Sequence, residues 1–151
     1  MEVFRITKSK YAKALSGRGA AINGTRWNSK GIEMIYTASN RSLAMAEVAV
    51  GLNIAAMKVT FCMKTIYLPS SCTIKTININ DLPPNWNAIP AIDNTRHIGD
   101  AFISEGHHLA LRVPSVVTQG DWNYLINPLH PTFQQIQILE VDEFPFDRRL
   151  F

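Results

Sequence analysis

Glu47 stands in residues 43–50, a run of eight in which it is the only side chain that is not apolar. On a helix, Leu43 and Val50 fall on its own side at i−4 and i+3. A lone carboxylate among such neighbours costs several kcal/mol unless it is paired or reaches a cavity. Glu47 therefore either points to solvent, pairs with an arginine, or lines a pocket and contacts a ligand. Arg26 lies in Gly24-Thr25-Arg26-Trp27-Asn28, a loop sequence. Its fork of N–H donors suits a phosphate or carboxylate; the plainer alternative is a surface arginine stacked on Trp27. Arg96 and Arg112 are rivals for the anion-binding role, Arg112 reading as a solvent-facing strand residue. Tyr36 alternates with Ile35 and Thr37, so its ring can be core or pocket wall. Ser115 follows Pro114 at a strand end and lacks the Gly-x-Ser-x-Gly setting of a hydrolase nucleophile. His97, His107, His108 and His130 have no metal-ligand spacing, and no metal is expected. Gly17, Gly19 and Gly24 fit neither a P-loop nor a dinucleotide fingerprint.

Elements must place these groups. Residues 3–7 read as an opening strand and 8–14 as a helical turn or loop. Turn chemistry predicts loop over 16–31. A buried strand is expected over 34–38, then a helix capped by Ser39 or Ser42 and reaching Gly51. Residues 57–64 alternate, with Met57, Val59, Phe61 and Met63 on one side and Lys58, Thr60, Cys62 and Lys64 on the other. That predicts a half-buried strand. Further strands are expected over 73–79, 108–113, 122–126 and 135–141, and a helix over 93–105. Six or seven short strands and two or three helices in mixed order make one α+β domain with no linker.

Composition narrows the class. With 151 residues, 46% hydrophobic and 18% charged, the chain can bury a core and is not expected to be disordered. No apolar run approaches the roughly 18–20 residues that span a bilayer, and the first twenty lack the apolar stretch of a secretory signal. A cytoplasmic location is expected. Cys62 and Cys72 are too few for a disulfide scaffold and read as reduced thiols. The net charge is +3, yet residues 1–31 hold seven basic side chains against Glu2 alone. That excess keeps open a basic module that binds nucleic acid without catalysis.

Six motifs fall in a telling order. They are Gly-Thr-Arg26-Trp-Asn-Ser-Lys-Gly, Ile-Tyr36-Thr-Ala-Ser, Ser-Leu-Ala-Met-Ala-Glu47, Leu-Arg-Val-Pro-Ser115, Leu-Ile-Asn127-Pro-Leu-His-Pro and Phe-Pro-Phe-Asp147-Arg-Arg-Leu. This series, covering nearly the whole chain, resembles the RES-domain toxins of Xre–RES toxin–antitoxin systems. Thr25 stands where many members carry glycine. The resemblance implies one RES domain over 1–151, with a mixed, mainly antiparallel sheet like that of ADP-ribosyltransferase toxins. It implies an enzyme that takes NAD as substrate, needs no cofactor, and cleaves the nicotinamide–ribose bond. ADP-ribosyl transfer to a specific protein is the alternative. By motif position, Arg26, Tyr36, Glu47 and Ser115 are the expected catalytic residues, with Arg26, Tyr36 and Asn127 binding substrate. The implied partner is an Xre-type helix-turn-helix antitoxin, through which alone DNA is met. No membrane partner is expected, and a homodimer stays open.

Overall fold

β-branched and aromatic residues crowd the runs that form β1 (Glu2–Lys8), β2 (Ile35–Ala38), β3 (Phe61–Tyr67), β4 (Ile74–Thr76), β5 (Ala110–Pro114), β6 (Trp122–Ile126) and β7 (Gln137–Glu143). The computed structural model describes residues 1–53 and 58–151. It joins the strands into one sheet of order β4-β5-β6-β2-β1-β3-β7. β4 is parallel to β5, and the other pairings are antiparallel. With α1 (Arg18–Asn23), α2 (Arg41–Ala49) and α3 (Asp93–Glu105), this is the mixed, mainly antiparallel α+β domain expected.

Register decides where a site can form. Ala38 pairs with both Phe4 and Asn123, Tyr36 with Leu125, and Leu125 with Leu111. Alternation therefore puts these side chains, with Ile6 and Val113, on one face of the sheet. Phe102 and Ile103 of α3 pack with Leu111, Val113 and Leu125 on the β5–β6 half of that face. Leu43 and Ala44 of α2 pack with Ile6, Ala38 and Met63 on the other half. The opposite face buries Val3, Ile35, Ile66, Leu109, Tyr124 and Ile126. Among the described residues no helix is long and apolar enough to cross a membrane.

Three local expectations need correction. Residues 16–31 are not all loop. Ser16 Oγ accepts the Arg18 N–H at 3.1 Å, the alanines propagate a turn, and Gly24 at φ +71° stops it; the turn residues bracket α1. The second helix is capped neither by Ser39 nor by Ser42. Asn40, extended at φ −150°, accepts the Leu43 N–H at 2.8 Å, and α2 ends at Ala49, short of Gly51. The strand expected from Met57 begins at Phe61, Met57 itself lying outside the described residues. It is buried on both faces rather than one. Residues 9–14 fold over its polar side, where Lys64, 1% exposed, donates to the carbonyls of Tyr11 at 2.7 Å and Ala14.

Candidate active site

The loop that carries Arg26 is knotted by a fully buried amide. Asn28 Nδ2 donates to the carbonyls of Ala20 and Ile32 at 3.0 Å, and its Oδ1 accepts the hydroxyls of Thr25 and Tyr36 at 2.6 Å each. Ser29 clips the loop to α3, its N–H and hydroxyl donating to Asp100 at 2.9 and 2.5 Å. Gly99 of α3 lies under the Trp27 carbonyl, where a Cβ would come within 1.6 Å of the oxygen. Thr25 needs no left-handed backbone, since the positive φ beside it belongs to Gly24. Its hydroxyl joins the knot instead.

So held, Arg26 donates from one terminal nitrogen to the carbonyls of Trp86 and Ala88, both at 2.9 Å. It lines a cavity of about 360 Å³ together with Tyr36, Glu47, Phe4, Val48 and Asn123. That volume falls at the small end of the range for small-molecule sites. Tyr36 presents its ring there while Asn28 and the Trp27 N–H, at 3.3 Å, occupy its hydroxyl. Burial pushes the Tyr36 phenol up to about 12, so it stays protonated near neutrality.

Glu47 comes from the half-buried middle of α2. Its Oε1 accepts the Ser115 hydroxyl at 3.1 Å. The Ser115 oxygen in turn accepts the N–H groups of Val117 and Thr118, each at 3.1 Å. With both lone pairs used, its single proton must point at Glu47. Burial raises the Glu47 carboxyl above its ordinary range, while bonds from Ser115 and Asn123 and the Arg26 charge pull it back. Burial likewise lowers the Arg26 guanidinium; Glu47 opposes that shift and Arg96 adds to it.

Four of the five residues singled out in the sequence thus come together. Arg26, Tyr36 and Glu47 line the cavity, and Ser115 stands behind Glu47, buried. Asn127 does not join them. It sits past the far end of β6, where its Oδ1 accepts the Leu129 N–H at 2.9 Å and fixes the following turn. Arg112 is not solvent-facing as expected: it is half-buried on the opposite face, with its guanidinium carbon 3.8 Å from the Trp122 ring centroid. Arg96 braces the loop, its Nε donating to the Thr25 carbonyl at 3.1 Å. Asn123 was missed. Its signal was a polar residue on the inward side of the strand Trp-Asn-Tyr-Leu-Ile, two residues before Leu125.

A carboxylate, a guanidinium and an aromatic wall around one small cavity can hold a ligand whose anionic part lies near Arg26 and whose cationic centre lies near Glu47. Among the described residues no group of three or more His, Cys, Asp or Glu is placed to hold a metal ion.

The chain is similar to known proteins in sequence and in fold. The family model for the RES domain matches residues 2–149. Toxin Res of Yersinia enterocolitica serotype O:8 is 36% identical, over 99% of both chains. Toxin Res of Photorhabdus laumondii is 33% identical over 99% of this chain and 97% of that one. A Sphingobium protein described as a Prs ADP-ribosylating toxin is 33% identical over 92% of this chain and 88% of its own. In fold, the chain is similar to the crystal structure of the M. tuberculosis MbcT–MbcA toxin–antitoxin complex, with a TM-score of 0.79. That match has 18% identity and covers 95% of this chain and 83% of the other.

Proposed function

The chain belongs to the RES domain family, and on that premise we propose that it is a toxin of a toxin–antitoxin system that destroys NAD by breaking the bond between nicotinamide and ribose. The observation that best supports this reading is the meeting of Glu47, fixed by Ser115, with Arg26 and the Tyr36 ring around one cavity.

The chemistry follows from these groups. As the bond from ribose C1′ to the pyridinium nitrogen breaks, its electron pair goes to the ring, and nicotinamide leaves neutral. Positive charge develops on the sugar, and an ionised carboxylate beside it lowers the barrier. Glu47 supplies that charge and can accept hydrogen bonds from ribose hydroxyls. Arg26 holds the pyrophosphate through its free donors. The Tyr36 ring stacks on the nicotinamide and fixes its orientation for departure. Because the leaving group departs uncharged, no general acid is required, and the protonated Tyr36 hydroxyl is spent on Asn28. Water, or another acceptor hydroxyl, then bonds C1′ through its oxygen and releases its proton to solvent. NAD is consumed as substrate, and no cofactor is called for.

The test is purified protein incubated with NAD, with free nicotinamide followed by chromatography. Release by the wild type that Glu47→Gln reduces roughly a hundredfold or more supports the mechanism; no release, or equal release by the variant, removes it.

A second reading gives the ADP-ribose to a protein rather than to water or phosphate. It is favoured by the Sphingobium relative's description as an ADP-ribosylating toxin. Biotinylated NAD added to a lysate separates the two, since only transfer leaves a labelled protein band. The partner in this proposal is an antitoxin with an Xre-type helix-turn-helix domain, consistent with the toxin–antitoxin complex matched in fold. The cytoplasm is the proposed place of action.

A further inference from the structure

Ser115 accounts for one contact to Glu47, and β6 brings a second polar side chain to the cavity that Glu47 lines. Asn123 pairs with Val113 on β5 and with Ala38 on β2. It therefore projects from the sheet face that α2 covers, next to the corner that delivers Ser115. The Ser115 N–H donates to the Asp121 carbonyl at 2.9 Å, which locks that corner to the start of β6. Ala38 is small and buried, so the amide has room over β2. Asn123 Nδ2 donates to the Thr37 carbonyl at 3.3 Å, and the residue lines the same cavity as Glu47, whose ionised form its amide favours.

We propose that Asn123 is a positioning residue. With Ser115, it fixes the plane of the Glu47 carboxylate so that the remaining lone pairs face the sugar of the substrate. An amide suits the place better than its isosteres. Aspartate would set a second negative charge against Glu47, and leucine would leave the carboxylate desolvated on that side. The anchor on the Thr37 carbonyl also tells the amide's two ends apart, directing nitrogen rather than oxygen toward the acid. The other charged or titratable residues lining the cavity are Arg26, Tyr36 and Arg5. Arg26 draws the Glu47 carboxyl down, as the amide does.

This inference rests on the NAD-cleaving reading for its consequence in catalysis, though not for its effect on Glu47. Two measurements keep them apart. In ligand-free protein carrying ¹³C-labelled glutamate, the Glu47 carboxyl signal is followed through pH by NMR. Asn123→Ala should raise its midpoint by about one pH unit, and Asn123→Asp should raise it further. An unchanged midpoint in both variants overturns the proposal, whatever the protein does to NAD. In nicotinamide release, Asn123→Ala should lower kcat roughly ten- to a hundredfold, the scale of one hydrogen bond to a charged group. KM should change little, and the acid limb of the kcat profile should move to higher pH. A merely structural role would lower activity alike at every pH and leave that limb in place, and this result also overturns the proposal. Absence of nicotinamide release by wild type at all pH values would instead fail the NAD reading, with the NMR titration still deciding the role of Asn123.

Discussion

Ser115 and Glu47 lie 68 residues apart in the chain and meet at 3.1 Å with the direction of the proton settled. Two backbone N–H groups fill the serine oxygen's lone pairs, so the hydroxyl has one acceptor left to it. The serine is thus a fixed donor to the acid rather than a nucleophile awaiting a base.

Ser115→Ala removes a bond that holds the Glu47 carboxyl down against burial. The carboxyl should then ionise at higher pH. Activity needs the ionised form, so it should fall away sooner as pH is lowered, and the acid limb of nicotinamide release should shift upward. A pH–rate profile of wild type and variant checks this; coincident limbs would count against it.

Glu47→Gln should abolish most activity while stabilising the fold at neutral pH. The folded carboxyl ionises above its ordinary value, so its contribution to stability is present in acid and lost as pH rises through the folded value. At pH 7 the wild type therefore carries a buried charge that the amide lacks. Thermal melts should place the variant above wild type at neutral pH, with the gap narrowing in acid near the usual carboxylate range.

Lys64 offers a test of the opposite sign away from the site. Burial, then the neighbouring Arg5 charge, lowers its ammonium to about 8 from the ordinary 10.5. Between those values the unfolded chain holds a proton that the folded chain has released, so this residue makes stability rise with pH across that window. Lys64→Met should lack that rise. The difference in melting temperature between the two proteins, plotted from pH 7 to about 10, should change steadily in favour of wild type; a flat difference would refute it.

Gly99→Ala should damage the site without touching it. The added methyl would come within 1.6 Å of the Trp27 carbonyl, so the Arg26 loop must lift from α3. Overpacking of this kind costs about 1–3 kcal/mol or more. The expected outcome is a lower melting temperature with a raised KM for NAD, since the guanidinium moves with its loop. Unaltered KM in a folded variant would show that the loop's seat on α3 is unimportant to binding.

Much of this was legible in the sequence because strands announce themselves by residue type. The β6 residues 122–126 and the helix 93–105 fall where the sequence reading puts them. Glu47 was legible as an acid in apolar company. Lys64 was misread because a period of two says which residues share a face, not whether another segment will cover it; residues 9–14 do so. Asn127 drew notice by its place in a family motif, yet its Oδ1 serves a turn. Asn123 escaped because a single amide in a strand looks like an ordinary outward residue until the pairing with Ala38 and Leu125's inward burial fix its side. Those are long-range facts, carried by no local motif.

The acid sits on α2, yet Ser115, which holds it, and Asn123, proposed to do so, follow three further strands, β3, β4 and β5. A ribosome must therefore deliver at least the first 126 residues before Glu47 has its holders. On the function proposed, a nascent or truncated polypeptide that stops before β6 is inert.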